Sequence, residues 1–306
     1  MPIPKSDGDL QSETQLTMPK LGVITDGISR EFEHALSVMN ETGLEYAELQ
    51  YLWEKEVGDL SDAEISKVQS LIKAHNVRVS CISRHNFAGM LVGDTEVGDA
   101  NYNRHMDGLR RCIDMAHELD ANLVRIMSFR REMILFGSSG ADYWVTSTGA
   151  WDKLLKLLEL PIELAEEKNI QLVLETGNNA MVPSAWLGRK LIDDAGSKHL
   201  RILWDPANSL YANEATYPDG WESLKDDYIG HLHIKDARVN MPQAHVEFCE
   251  LGSGDMAPYL RPLADDMKKN DHDGFISLES VYRPEGGSFE DGYRASLPKF
   301  KELFNW

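Results

Sequence analysis

Four short apolar runs in this chain end in residues that bind metals well. LVLET carries Glu175, LRILWD closes on Asp205, HLHIKD carries His231 and His233, and FISLES carries Glu279. A buried strand gains nothing from an unpaired carboxylate, because a charge taken out of water is costly unless it is paired or bound to a metal. Four strands ending this way predict one shared polar centre. Three carboxylates and an imidazole suit Mn2+, Mg2+ or Co2+ better than a thiolate-seeking metal, with Zn2+ still compatible. The expected cofactor is one divalent ion, with Mn2+ first among these.

Such an ion would chelate carbonyl and hydroxyl oxygens of a sugar or keto acid, polarise the carbonyl and stabilise an enediolate. A carboxylate on each face could then remove and return a proton, giving isomerisation or epimerisation. The alternative outcome is a lyase. The same proton loss can lead to β-elimination of water or an aglycone, as in a dehydratase or a 3-oxo-glycoside deglycosidase, if an acid protonates the leaving group; loops 84–98 and 130–148 are places to look for one. A third reading is a sugar-binding barrel without catalysis.

The elements that must position these residues repeat. Strand-like runs cover 20–26, 46–52, 77–83, 122–129, 171–175, 200–205, 229–237 and 275–280. Between and after them, apolar residues at helical spacing predict helices over 30–42, 62–76, 100–119, 149–168, 184–195, 257–269 and 292–304, with a helix or turn through WESLKDDY (221–228) before the seventh strand. Ser61 or Asp62 caps the second helix, and Pro161 should kink the fourth. Alternating strand and helix implies a parallel sheet, and eight such units in 306 residues fit a single (β/α)8 TIM barrel over 19–306 behind a polar arm at 1–18. An open doubly wound sheet fits less well, because LGVITDGIS lacks the glycine-rich turn after its first strand.

In a parallel barrel alternate residues point inward, and the site lies at the C-terminal strand ends. Glu175, Asp205 and Glu279 then face inward, while Leu174, Trp204 and Leu278 face the helices. His231, His233 and Lys235 share one parity. His233 sits two residues (about 6–7 Å) nearer the mouth than His231, so His233 is the expected ligand and His231 lies deeper. Glu48, His85, Asn208 and Lys235 are candidate substrate contacts; Lys235 could instead pair with Glu279 or Asp236. Tyr143, Trp144 and Trp53 could close over a sugar, and Trp151 belongs to the core of its helix.

Net charge is −19, which disfavours nucleic-acid partners, and no run reaches the length of a membrane helix. Cys81, Cys112 and Cys249 form no CxxC pair and read as buried free thiols in a reducing compartment; with no signal-like N-terminus, the cytoplasm is expected. No lysine- or glycine-rich phosphate cradle follows the last two strands, although GSGDM (252–256) could offer amides to an anion.

The endings LVLET, WDPAN, HLHIKD and ISLES, with GSGDM before the last helices, resemble the xylose-isomerase-like TIM barrels of the sugar-phosphate isomerase/epimerase type, over about residues 20–305. The resemblance implies a metal on Glu175, Asp205, His233 and Glu279. It also implies, from the ketose 3-epimerase branch, that Glu175 and Glu279 serve as the acid/base pair, and that the chain is a dimer or tetramer acting on a small carbohydrate, with an accessory subunit left open. The chain departs from the family pattern at Asn208, where many relatives carry histidine. It departs again after His233, where Lys235, Asp236 and Arg238 stand in place of the arginine of ketose epimerases.

Overall fold

The computed structural model describes residues 18–132 and 149–305. Most of the expected arm, and the pair Tyr143 and Trp144, lie outside them. Eight strands, Lys20–Ile24 (β1), Tyr46–Leu49 (β2), Arg78–Asn86 (β3), Leu123–Met127 (β4), Gln171–Glu175 (β5), Leu200–Trp204 (β6), Ile229–Ile234 (β7) and Phe275–Leu278 (β8), pair side by side in chain order. All these pairs are parallel, and β1 closes on β8. With helices following the strands, this is the (β/α)8 TIM barrel that the alternating pattern predicts.

The period-two pattern of each strand divides the apolar residues between two cores. Leu174, Trp204 and Leu278 join the large core between barrel and helices. Cys81, Leu123, Val173 and Leu203 form a small separate cluster with Phe275 against it. Val173 and Leu203 share parity with Glu175 and Asp205, so the small cluster is the floor of the barrel interior. The carboxylates stand one inward position, about 6–7 Å, above it.

Local sequence sets the element ends. Ser61 and Glu64 form a capping box at the start of Asp62–His75, and Ser184 caps Ala185–Ala195. The helix Ala150–Lys168 runs as one element through Pro161, and Trp151 is buried on it. The last helix starts at Phe289, earlier than apolar spacing alone indicates, because a second capping box of Ser288 and Asp291 starts it. All three cysteines are buried and free. Among the described residues no helix is long and apolar enough to cross a membrane.

Two hairpins were not legible in the strand pattern, Tyr51–Leu52 with Lys55–Glu56 and Asp236–Asn240 with His245–Cys249. The second depends on Asp236. Its carboxylate accepts from the backbone amides of Ala237, Gly252, Gly254 and Met256 at 2.8–3.0 Å. The GSGDM amides thus bind a carboxylate of the chain itself, not an external anion.

Candidate metal centre

Above the apolar floor lies a buried polar layer. Glu48, at the C-terminal end of β2, accepts from His231 Nε2 at 2.6 Å and from His233 Nε2 at 2.9 Å. Ser83 Oγ donates to the same carboxylate, and His231 Nδ1 meets the Phe275 carbonyl at 3.2 Å. Glu48, His231 and His233 are fully buried. The sequence places Glu48 against the substrate. The structure places it beneath the His233 ring, where two imidazoles and a hydroxyl shut it off from the mouth.

Arg125 joins this layer from β4. It is 2% exposed, donates from Nη1 to Glu175 Oε2 at 2.9 Å, and donates from Nη2 to the Ser83 carbonyl at 2.6 Å. Sequence reasoning passed over it, although an arginine inside NLVRIMSF was a signal: a charge in the middle of an apolar strand needs a buried partner.

The next layer holds the four predicted ligands. One donor atom each from Glu175, Asp205, His233 and Glu279 lies within 4.8 Å of the others. His233 Nδ1 stands 3.7 Å from Glu175 Oε1 and 3.6 Å from Glu279 Oε2. That nitrogen is buried and has no hydrogen-bond partner. Because Glu48 accepts at Nε2, the proton of the neutral ring belongs there, and the Nδ1 lone pair faces the carboxylates. Donor atoms about 3–4 Å apart are what an ion with bonds of about 2.0–2.2 Å requires. Asp205 is fixed as the cap of the short helix Pro206–Ser209, its Oδ1 accepting from the Ala207 amide at 3.0 Å.

Charge bookkeeping also fits a divalent ion. The two layers contain four carboxylates, on Glu48, Glu175, Asp205 and Glu279, and two fixed cations, on Arg125 and Lys235. The carboxylates outnumber the fixed cations, which favours a cation at the centre. Lys235 pairs with Glu279 Oε2 at 2.7 Å and closely with Asp205 Oδ2.

These contacts set the titration of each group. Burial pushes the Asp205 carboxyl up to about 7 against the pull of Lys235. Burial also acts to raise Glu175, but Arg125 and His233 outweigh it and hold that carboxyl below the usual range. Glu279 is held low in the same way, by Lys235 and His233. Burial would lower the His233 imidazole, yet Glu48, Glu175 and Glu279 carry it well above its ordinary value. An ion at Nδ1 would take the place of that extra proton.

The candidate substrate contacts are placed unevenly. Lys235 reaches the centre. Asn208 lies beside it, but its amide donates to the Thr176 carbonyl at 2.8 Å. His85 is one-third exposed, and its Nδ1 is held by Glu56 at 2.7 Å. Trp53 packs edge-on to Phe32 and under Lys67. Tyr211, which no motif singled out, is close enough to feel Lys235, Asp205 and Glu279; burial pushes its phenol up to about 12.

Similar folds occur among solved structures. The 3-keto-D-glucoside 4-epimerase YcjR of E. coli is 18% identical with a TM-score of 0.65, the match covering 94% of this chain and 100% of that one. An L-ribulose 3-epimerase is 16% identical with a TM-score of 0.68, covering 94% and 95%. The IOLI protein, solved with a bound zinc atom, is 14% identical with a TM-score of 0.67, covering 94% and 98%. Comparison with curated protein sequences gives no match. The family model for the xylose isomerase-like TIM barrel matches residues 36–303, so the chain belongs to that family.

Proposed function

We propose that this chain is a divalent-metal-dependent isomerase or epimerase of a sugar or keto sugar, working by proton transfer through an enediolate. The observation that supports this most is the unpartnered, buried Nδ1 of His233, aimed at three carboxylates within 4.8 Å. Glu175, Asp205, His233 and Glu279 would hold the ion. When bound, it would supply Lewis-acid polarisation of the substrate carbonyl. Mn2+ is the proposed ion, since the donors are mainly carboxylate oxygens.

The chain's own groups carry the proton chemistry. Glu175 and Glu279 are the proposed acid/base pair. Arg125 keeps Glu175 ionised, as the group that removes the substrate proton must be, and Lys235, 2.7 Å from Glu279, can pass it the proton to be returned on the other face. Lys235, with three donors, can steady a substrate oxygen as charge develops on it. The floor of Val173 and Leu203 keeps water from below the centre.

Asp26 favours elimination as a second reading. It lines the same cleft as Glu279, and burial raises its carboxyl, so it holds a proton longer than an exposed aspartate would. That property suits protonation of a leaving group. One experiment separates the readings. Metal-loaded protein and Glu175→Gln are incubated with a panel of keto sugars and 3-oxo-glycosides in D2O. Deuterium uptake with the rest of the formula intact, lost in the variant, supports epimerisation. Release of water or aglycone supports elimination. Neither event with any compound of the panel would sink both.

A further inference from the structure

A cleft of about 690 Å3 lies beside the candidate metal centre, at the C-terminal ends of β1, β2 and β8. Glu279 belongs to both. The cleft is further lined by Asp26, Arg30, Gln50, Arg283 and Phe289. Clefts of about 300–1,000 Å3 accommodate drug-sized ligands, and a monosaccharide chelated at the metal would leave most of this one empty. The lining is not that of a water-filled vestibule. Phe289 is a large apolar side chain left 44% exposed on the wall. The Arg283 guanidinium lies 5.8 Å from its ring centre and has no carboxylate partner among the described residues. Opposite charges alternate around the wall: Arg30 pairs with Glu54 and stacks 5.0 Å from Tyr51, and Asp26 is fixed by the Tyr51 amide.

We infer that this cleft is a second sugar subsite, so that the substrate is a neutral glycoside whose reacting ring lies at the metal and whose second ring rests against Phe289. The inference rests on the metal–carbonyl reading for the place of the first ring only. An aromatic face offers apolar contact to the C–H face of a pyranose. Paired carboxylates, guanidinium groups and an amide offer donors and acceptors to vicinal hydroxyls. A wall with four carboxylates, of Asp26, Glu31, Glu54 and Glu279, and two guanidinium groups, of Arg30 and Arg283, suits a neutral polyol better than a phosphate or a uronate, because the excess negative charge repels an anion. The volume exceeds the needs of one ring, and an exposed aromatic beside unspent polar groups is how a second ring would be recognised.

The test uses the full chain loaded with Mn2+, or with Mg2+ for diamagnetic spectra. Dissociation constants of cellobiose, maltose and lactose are measured by saturation-transfer NMR and set against those of glucose and galactose. At least one disaccharide should bind at least tenfold tighter than its component monosaccharides. The double variant Phe289→Ala, Arg283→Ala should erase that margin while melting temperature and Mn2+ affinity stay at wild-type values. Equal binding of mono- and disaccharides, or a margin that survives in the variant, overturns the inference. Paramagnetic relaxation by Mn2+ then tests the underlying reading separately. Faster relaxation of one ring than the other supports both. Absence of relaxation, with the disaccharide margin intact and lost in the variant, keeps the subsite and removes the placement of the first ring at the metal.

Discussion

Glu48→Gln tests the centre most directly, because it changes one atom in a buried site and touches none of the four proposed ligands. The carboxylate of Glu48 accepts from two imidazoles, at 2.6 and 2.9 Å. A glutamine of the same shape accepts through one oxygen and presents an NH2 to the other ring. His231 Nδ1 meets the Phe275 carbonyl at 3.2 Å, so its Nε2 can accept the amide N–H, and the amide oxygen is left to the Nε2 proton of His233. That proton then faces a neutral amide oxygen in place of a carboxylate, so the charge that strengthens Nδ1 as a donor is gone. The loss is one charge-assisted hydrogen bond, about 1.5–3 kcal/mol. Metal affinity should fall about 10–100-fold, the range typical for a lost partner of a ligating histidine. The assay is isothermal titration with Mn2+ and Zn2+ on wild type and variant, with circular dichroism confirming the fold. Wild-type affinity in a folded Glu48→Gln protein would show that the Glu48 charge does not strengthen the ligating nitrogen, and the reasoning would fail.

Other consequences follow from the same layers. Arg125→Met leaves Glu175 buried without its counter-charge and should destabilise the protein by about 3–5 kcal/mol in urea unfolding; an unchanged midpoint would mean that the pair does not matter for folding. Asp205, raised to about 7, holds a proton below that pH, and a metal must displace it. Mn2+ affinity should therefore weaken as pH falls below 7, by about tenfold per unit for each proton displaced; a flat profile between pH 5.5 and 8 would remove Asp205 from the ligand set. Asp236→Ala frees four amides at once, and hydrogen exchange at Gly252, Gly254 and Met256 should rise at least tenfold, while exchange in the floor strands β5 and β6 stays slow.

Sequence alone determined the barrel and the four ligand candidates, for one physical reason. Both follow from periodicity: apolar runs broken by helices force a parallel sheet, and a fixed period of two puts Glu175 and Asp205 on the same face as Val173 and Leu203. The deeper position of His231 followed from the same parity. What sequence could not decide was the partner of each polar group, because partners come from strands far apart in the chain. Glu48 and His233 are separated by 185 residues and Arg125 and Glu175 by 50; closure of the barrel brings the first pair to 2.9 Å, and the pairing of β4 with β5 brings the second. A lone carboxylate at a strand end reads the same whether it faces substrate or supports a histidine from below. The choice depends on its height within the barrel, which is set by the stagger between strands and not by any one of them. The cleft beside Glu279 likewise belongs to no single motif, since its walls come from the ends of β1, β2 and β8, the first and last strands meeting only where the barrel closes.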